Sequence, residues 1–256
     1  MAVSASVLQQ EVERLRAEVE RLREELSRRE REAADNELQL ERYAADLRET
    51  FKQERARAQE LQRSYMATVR ALSNAVEARD AYTGKHAERV TAYGLKIAAA
   101  YGLRLTESPE LEFGFLLHDI GKVAIPDAIL YKPEQLTDKE RALMEQHPVI
   151  GAQILRGIEF LSEAAHVVRS HHERWDGRGY PDGLSEAQIP VSARVFTVAD
   201  VLDALTTDRP YRPAIPLSSA RKMIVEESGT HFDPAVIEAF EAIEDPTLQQ
   251  IAAEIQ

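Results

Sequence analysis

Residues 113–122 read Phe-Gly-Phe-Leu-Leu-His-Asp-Ile-Gly-Lys. An apolar run typical of a buried helix thus ends in two side chains able to bind a metal. The pattern predicts one helix from Leu111 to Lys122. Lys122 lies four residues after His118 and so falls on the same helical side. A histidine ligand, a carboxylate able to join two ions and an ammonium group are what metal-assisted phosphoester hydrolysis needs. The same residues also suit an ordinary helix end with a solvated Asp119 and Lys122. This segment alone leaves both readings open.

Working outward, the adjacent pair His171-His172 offers two neutral nitrogen ligands and is followed by Glu173, Arg174 and Asp176. In isolation the pair also fits an exposed polar helix end. Asp200 is more telling. It sits inside Phe196-Thr197-Val198-Ala199-Asp200-Val201-Leu202, where an uncompensated carboxylate is costly to bury. A metal would compensate it, and so would an arginine. His86 and His147 complete the candidate set, and His147 precedes Pro148, which biases it towards a helix boundary. His166 and His231 read as structural. The chain has no cysteine, so a metal would have to use His, Asp, Glu or water. Such donors suit manganese, iron or zinc better than softer ions.

The rest of the chain reads as all-α. Val90, Tyr93, Ile97 and Ala100 form a helical stripe, and Thr137 with Glu140 is a capping box opening a further helix. Gly177, Gly179, Pro181 and Gly183 mark a shaped loop. Val195–Leu205 is apolar enough for a buried helix, with a short strand through Val195, Phe196 and Val198 as the alternative. Ala235–Ile243 suggests a short terminal helix after Asp233-Pro234.

No Gly or Pro occurs before Gly84, so one helix can run from about Ser4 to about Arg79, on the order of 110 Å. Leu8, Val12, Leu15, Val19, Leu22 and Leu26 alternate in steps of four and three, a heptad seam. Arg29 and Asn36 interrupt it, Ala33, Leu40, Tyr43 and Leu47 resume it, and a stutter before Phe51 shifts its phase. With Leu8 at d, Glu11 and Glu18 fall at g while Arg16 and Arg23 fall at e, which matches opposite charges in a parallel pair. Val at a with Leu at d favours two strands. The expectation is a coiled-coil dimerisation and signalling helix over residues 1–79, making a parallel homodimer, followed by a globular helical domain over 80–256.

The formal net charge is −12, of which residues 1–65 carry −2. An acidic domain is a poor partner for polymeric nucleic acid. No apolar run approaches a membrane span, and no basic-then-apolar leader opens the chain. A soluble cytoplasmic protein is the expectation.

His118-Asp119-Ile120-Gly121-Lys122, His171-His172-Glu173 and Asp176-Gly177-Arg178-Gly179-Tyr180-Pro181 together resemble the signature of the HD-GYP phosphodiesterases, a branch of the HD superfamily of metal-dependent phosphohydrolases. The resemblance runs from about Asp80 to about Pro234 and takes in Ile125-Pro126-Asp127, Asp203-Ala204-Leu205 and Arg209-Pro210-Tyr211-Arg212. It implies an HD-type helical domain. It makes His86, His118, Asp119, His147, His171, His172 and Asp200 ligands of two divalent ions, iron or manganese, with Asp119 shared between them. Asp119 and Lys122 become the catalytic pair. Lys122, Tyr180, Arg209 and Arg212 become the substrate contacts. The implied reaction is hydrolysis of a cyclic dinucleotide, chiefly cyclic di-GMP, to the linear dinucleotide and in some members on to GMP. Two positions depart from the family pattern. Tyr82 stands where some members have a glutamate that brings in a third metal, and Glu186 stands where the loop usually has a glycine. The other readings are a silent module that senses the dinucleotide or recruits a signalling partner, and a phosphohydrolase acting on another phosphoester.

Overall fold

Helix α1 spans Ala5–Glu77, as the Gly- and Pro-free stretch predicts. The computed structural model describes residues 5–79, 85–105, 109–208 and 212–255. The chain divides into two compact units, Met1–Arg63 and Ser64–Gln256.

In the first unit the whole seam is solvent-facing within one chain: Leu8 is 58% exposed, Leu15 52% and Leu22 50%. Its charged faces are laced by pairs within the helix, such as Arg14–Glu11 at 2.8 Å and Arg21–Glu18 at 2.7 Å. Exposed pairs of this kind contribute little, because water screens them.

The second unit starts at Ser64, within α1. The reason is packing. Val69 and Val76, on the last turns of α1, are buried with Leu116, Leu117, Ile120 and Leu161, and Tyr65 stacks flat on Phe160 at 4.0 Å. Helices α2 (His86–Tyr101), α3 (Pro109–Leu116), α4 (Asp127–Leu130), α5 (Asp138–Met144) and α6 (His147–Leu155) follow. Then come α7 (Ala164–Ser170), α8 (Val191–Thr206), α9 (Leu217–Glu226), α10 (Pro234–Glu241) and α11 (Asp245–Glu254). The expected capping box opens α5, with Thr137 and Glu140 bonded reciprocally.

The second core joins α2 and α8 to α9, α10 and α11 through Ile97, Phe115, Phe196, Leu202, Ile224 and Phe240. Val195, Phe196 and Val198 belong to helix α8, not to a strand. Two expectations need correction. The helix expected from Leu111 to Lys122 ends at Leu116, and a 3-10 turn over Ile120–Ala124 follows. The chain breaks there because Gly121 lies against α6: a Cβ on it would stand 1.9 Å from the His147 carbonyl oxygen. The terminal helix is followed by another, α11, whose Leu248 and Ile251 are buried.

Candidate metal centre

The break after α3 positions the centre. It turns His118 and Asp119 out of the helical path, and Gly121 presses them against the start of α6, where His147 is the first residue. His86 opens α2, His171 and His172 follow directly on α7, and Asp200 lies midway along α8. Four helix ends and one helix side therefore converge.

Two clusters result. His147, His171 and His172 form one and His86, His118 and Asp200 the other, with the potential ligand atoms of each within 4.8 Å of one another. Asp119 lies between them. Its Oδ1 is 3.3 Å from His147 Nε2, and its Oδ2 is 3.0 Å from His118 Nε2. One carboxylate thus presents an oxygen to each cluster. Lys122 Nζ sits 2.8 Å from the same Oδ2.

Hydrogen bonds fix the ring tautomers. Nδ1 of His118 faces the Phe115 carbonyl at 3.0 Å, that of His147 the Met144 carbonyl at 2.8 Å, and that of His171 the Val168 carbonyl at 2.8 Å. A carbonyl only accepts, so each Nδ1 donates and each Nε2 is left with its lone pair in the neutral ring. His147 and His171 then point Nε2 lone pairs at each other across 3.3 Å. Two lone pairs at that separation repel unless a cation sits between them. The donor set therefore fits a divalent ion.

The electrostatics agree. Burial holds His171 well below the ordinary histidine range, with the neighbouring imidazoles adding to it, and burial brings His172 down to about 3. Burial also lowers His147. These rings are neutral near pH 7, the form that binds metals. Burial pulls His118 down as well, but Asp119, Asp200 and the Phe115 carbonyl outweigh it and leave the ring raised. Burial would raise Asp119, yet Lys122, His118 and His147 hold it well below the usual carboxylate range.

The seven expected ligands are therefore brought together. Tyr180 lies in the loop after α7 and stacks on His172, ring centroids 4.6 Å apart and planes 25° from parallel. Arg212 is exposed and donates to the Ala204 carbonyl of α8. Arg209 and Tyr82 lie outside the described residues. His166 is exposed, and His231 pairs with Glu227 at 3.1 Å, so neither joins the clusters.

Three supporting residues were given no role from the sequence. Asp203, 2% exposed, accepts from His86 Nδ1 at 2.7 Å and is gripped by Arg89 at 2.7 Å. A legible signal existed: His86 and Arg89 are three apart on α2, and Asp200 and Asp203 are three apart on α8, so two facing pairs were available. Glu173, also 2% exposed, accepts from the amides of Asp182 at 2.8 Å and Leu184 at 3.0 Å, tying down the glycine-rich loop. Gly179 lets that loop close over it, since a Cβ there would lie 2.4 Å from the Glu173 Cα. Glu77, on α1, accepts from the Ala87 amide at 2.6 Å. No pattern in the sequence marks that contact.

Converging helices around paired His/Asp clusters are what an HD-type helical domain was expected to show. The HD domain family matches residues 70–236, and the chain belongs to this family. It is 45% identical over 189 residues to a cyclic di-GMP phosphodiesterase of Vibrio cholerae serotype O1, covering 68% of this chain and 38% of the relative. It is 41% identical over 169 residues to a 3'3'-cGAMP-specific phosphodiesterase of the same organism, covering 65% of this chain and 32% of the relative. The chain thus spans about a third of the length of these relatives. A crystal structure of a cyclic GMP-AMP-specific phosphodiesterase of V. cholerae has the same fold. Its TM-score is 0.51 at 20% identity, over 73% of this chain and 52% of the other. Among the described residues no helix is long and apolar enough to cross a membrane.

Proposed function

We propose that the chain hydrolyses a cyclic dinucleotide, cyclic di-GMP in the first instance, to the linear dinucleotide at two divalent metal ions. The observation that carries this reading is Asp119, whose two oxygens reach separate His clusters while Lys122 sits on one of them. His147, His171 and His172 would hold one ion, His86, His118 and Asp200 the other, and Asp119 both. Imidazole and carboxylate donors without thiolate suit manganese, iron or zinc, and the family resemblance favours iron or manganese among them. When bound, such ions supply Lewis-acid stabilisation of phosphoryl oxygens and a nucleophile drawn from water at neutral pH.

The protein's own groups do the rest. The neutral imidazoles release no proton on binding a metal. Lys122, 16% exposed at its side chain, is open enough to meet a non-bridging phosphate oxygen and steady the charge that develops on it. Tyr180, fixed over His172, would form one wall of the nucleotide pocket. Burial raises its phenol above the usual tyrosine range, so it remains a neutral wall. Arg212, with Arg209 beside it in sequence, would take the second phosphate. The charge balance suits a small dianion met by local cations, not a polymer. The similarity to relatives named for cyclic di-GMP and for cyclic GMP-AMP supports a cyclic dinucleotide as the substrate class. Degradation of such a messenger would be a task for the cytoplasm.

Incubation of manganese-loaded protein with cyclic di-GMP, cyclic GMP-AMP and a chromogenic phosphodiester, with products resolved, tests the reading. The expected result is linear dinucleotide from a cyclic substrate and loss of turnover with chelator. Turnover of the simple ester alone would overturn the choice of substrate.

A further inference from the structure

We infer that Glu77, at the end of α1, is a positioning residue for the metal half formed by His86, His118 and Asp200. The inference rests on the two-metal reading above. Helix α2 begins with His86, and its N-cap residue, Lys85, is in the left-handed region at φ 66° with no side-chain cap bond. The first turn of a helix leaves its amides without helical partners and carries partial positive charge. Glu77 supplies both missing elements from another helix: its Oε1 accepts from the Ala87 amide at 2.6 Å. The bonded amide belongs to the residue next to His86, so the carboxylate fixes the turn that presents this imidazole.

The surroundings make the contact specific. Ser73, one turn earlier on α1 and 5% exposed, donates to the Leu116 carbonyl at 2.8 Å, at the end of α3 just before His118. A cavity of about 20 Å³ lies between α1 and the metal half, lined by Ser73 and Glu77 on one side and by His86, His118 and Asp119 on the other. That volume takes about one water molecule. Helix α1 therefore touches two of the three backbone segments that hold this half, and Asp203 of the third, α8, holds the His86 ring. Among the described residues, no bond from Glu77 to the His147, His171 and His172 cluster is seen. An effect on one half alone follows.

Manganese titration of the full chain, reading free ion by its magnetic resonance signal, tests this. Wild type is expected to bind two equivalents. Glu77→Ala should weaken one equivalent at least about tenfold, the scale of losses when a support behind a ligand is removed, and leave the other unchanged. Glu77→Gln keeps an oxygen that can accept from Ala87 and should fall between the two, so it decides the matter if the alanine variant folds poorly. In a His172→Ala background, the equivalent that remains should be the one Glu77→Ala weakens. An unchanged titration, or equal weakening of both equivalents, would overturn the inference alone. A wild-type chain that binds no manganese would overturn the metal reading and this inference with it.

Discussion

His86 on α2 and Asp203 on α8 share a hydrogen bond of 2.7 Å between Nδ1 and Oδ2. Asp203 differs from the supports of His118, His147 and His171, whose Nδ1 atoms face backbone carbonyls. A carboxylate behind an imidazole makes it a stronger donor and fixes its orientation. Arg89 completes the arrangement by gripping Asp203 from the turn after His86. Burial would raise Asp203, but His86 and Arg89 outweigh it and keep the carboxyl ionised. Asp203→Ala removes the paired carboxylate from Arg89, which is 8% exposed. Breaking a buried pair in this way costs about 3–5 kcal/mol. Denaturant unfolding of the variant should show a loss of that order, and a midpoint equal to wild type would show that the pair carries no stability.

Asp119 and Lys122 touch each other yet should behave differently on removal. Asp119→Ala takes an oxygen from both clusters, so metal content and hydrolysis should both collapse. Lys122→Ala removes no proposed ligand. It should keep its metal and lose turnover by about a hundredfold or more, the scale of losing one charge-stabilising donor. Elemental analysis beside activity separates the two, and equal metal loss would mean the assigned roles are wrong.

Gly121 offers a test of the geometry that joins the halves. Its backbone lies against both His147 and Gly151, and an added methyl would stand 1.9 Å from the His147 oxygen and 2.6 Å from the Gly151 amide. Backbone atoms cannot yield as a flexible side chain can. Gly121→Ala should push α6 away from Asp119 and destabilise the fold by several kcal/mol, as overpacked sites do. Its metal loss should fall on the His147 half. A variant with wild-type melting temperature and full metal content would show that the contact is soft.

Five of the seven proposed ligands were readable because each is an anomaly in its own segment: a charged pair ending an apolar run, adjacent histidines, an aspartate inside Phe196–Leu202; His86 and His147 carry no such mark and only complete the set. The heptad seam and the Thr137 capping box were readable for the same reason, as local patterns with a known period or spacing. What the sequence hid is tertiary. The break after Leu116 comes from the approach of α6 to Gly121, and nothing within residues 111–122 announces it. Glu77 looks like one more charge on a charged helix until α2 is folded against it. Asp203 and Arg89 were visible as residues, but their pairing depends on α2 lying along α8.

Glu186 stands where related loops usually carry glycine, and the backbone there explains the preference. Its φ is 51°, in the left-handed region that costs a residue with a side chain about 1–2 kcal/mol. Ser185 and Gln188 bond reciprocally around it and hold the turn. Glu186→Gly should therefore stabilise the domain by up to about 1 kcal/mol, after the entropy cost of glycine is subtracted. Turnover should change little, because the side chain belongs to neither cluster. A drop in unfolding midpoint would mean the Glu186 side chain contributes more than its backbone costs.

The coiled coil gives the last prediction. Leu8, Val12, Leu15, Val19, Leu22 and Leu26 are 45–58% exposed in the single chain, so covering each gains about half of the roughly 1.5–3 kcal/mol that full burial of a large apolar side chain is worth. The partner proposed for this stripe is a second copy of the chain. In a parallel pair Glu11 meets the other chain's Arg16, and Glu18 meets its Arg23, whereas an antiparallel pair sets like charges together. Glu11 and Glu18 are engaged with Arg14 and Arg21 of their own helix, but both pairs are exposed and cheap to exchange. The chain has no cysteine, so single thiols report cleanly. Leu8→Cys and Leu15→Cys should each form a disulfide with its own copy, since a parallel register places every d position opposite itself. An antiparallel pair could place only one position so. Cross-linking at one site alone would therefore reverse the orientation, and a monomer in light scattering would remove the dimer altogether.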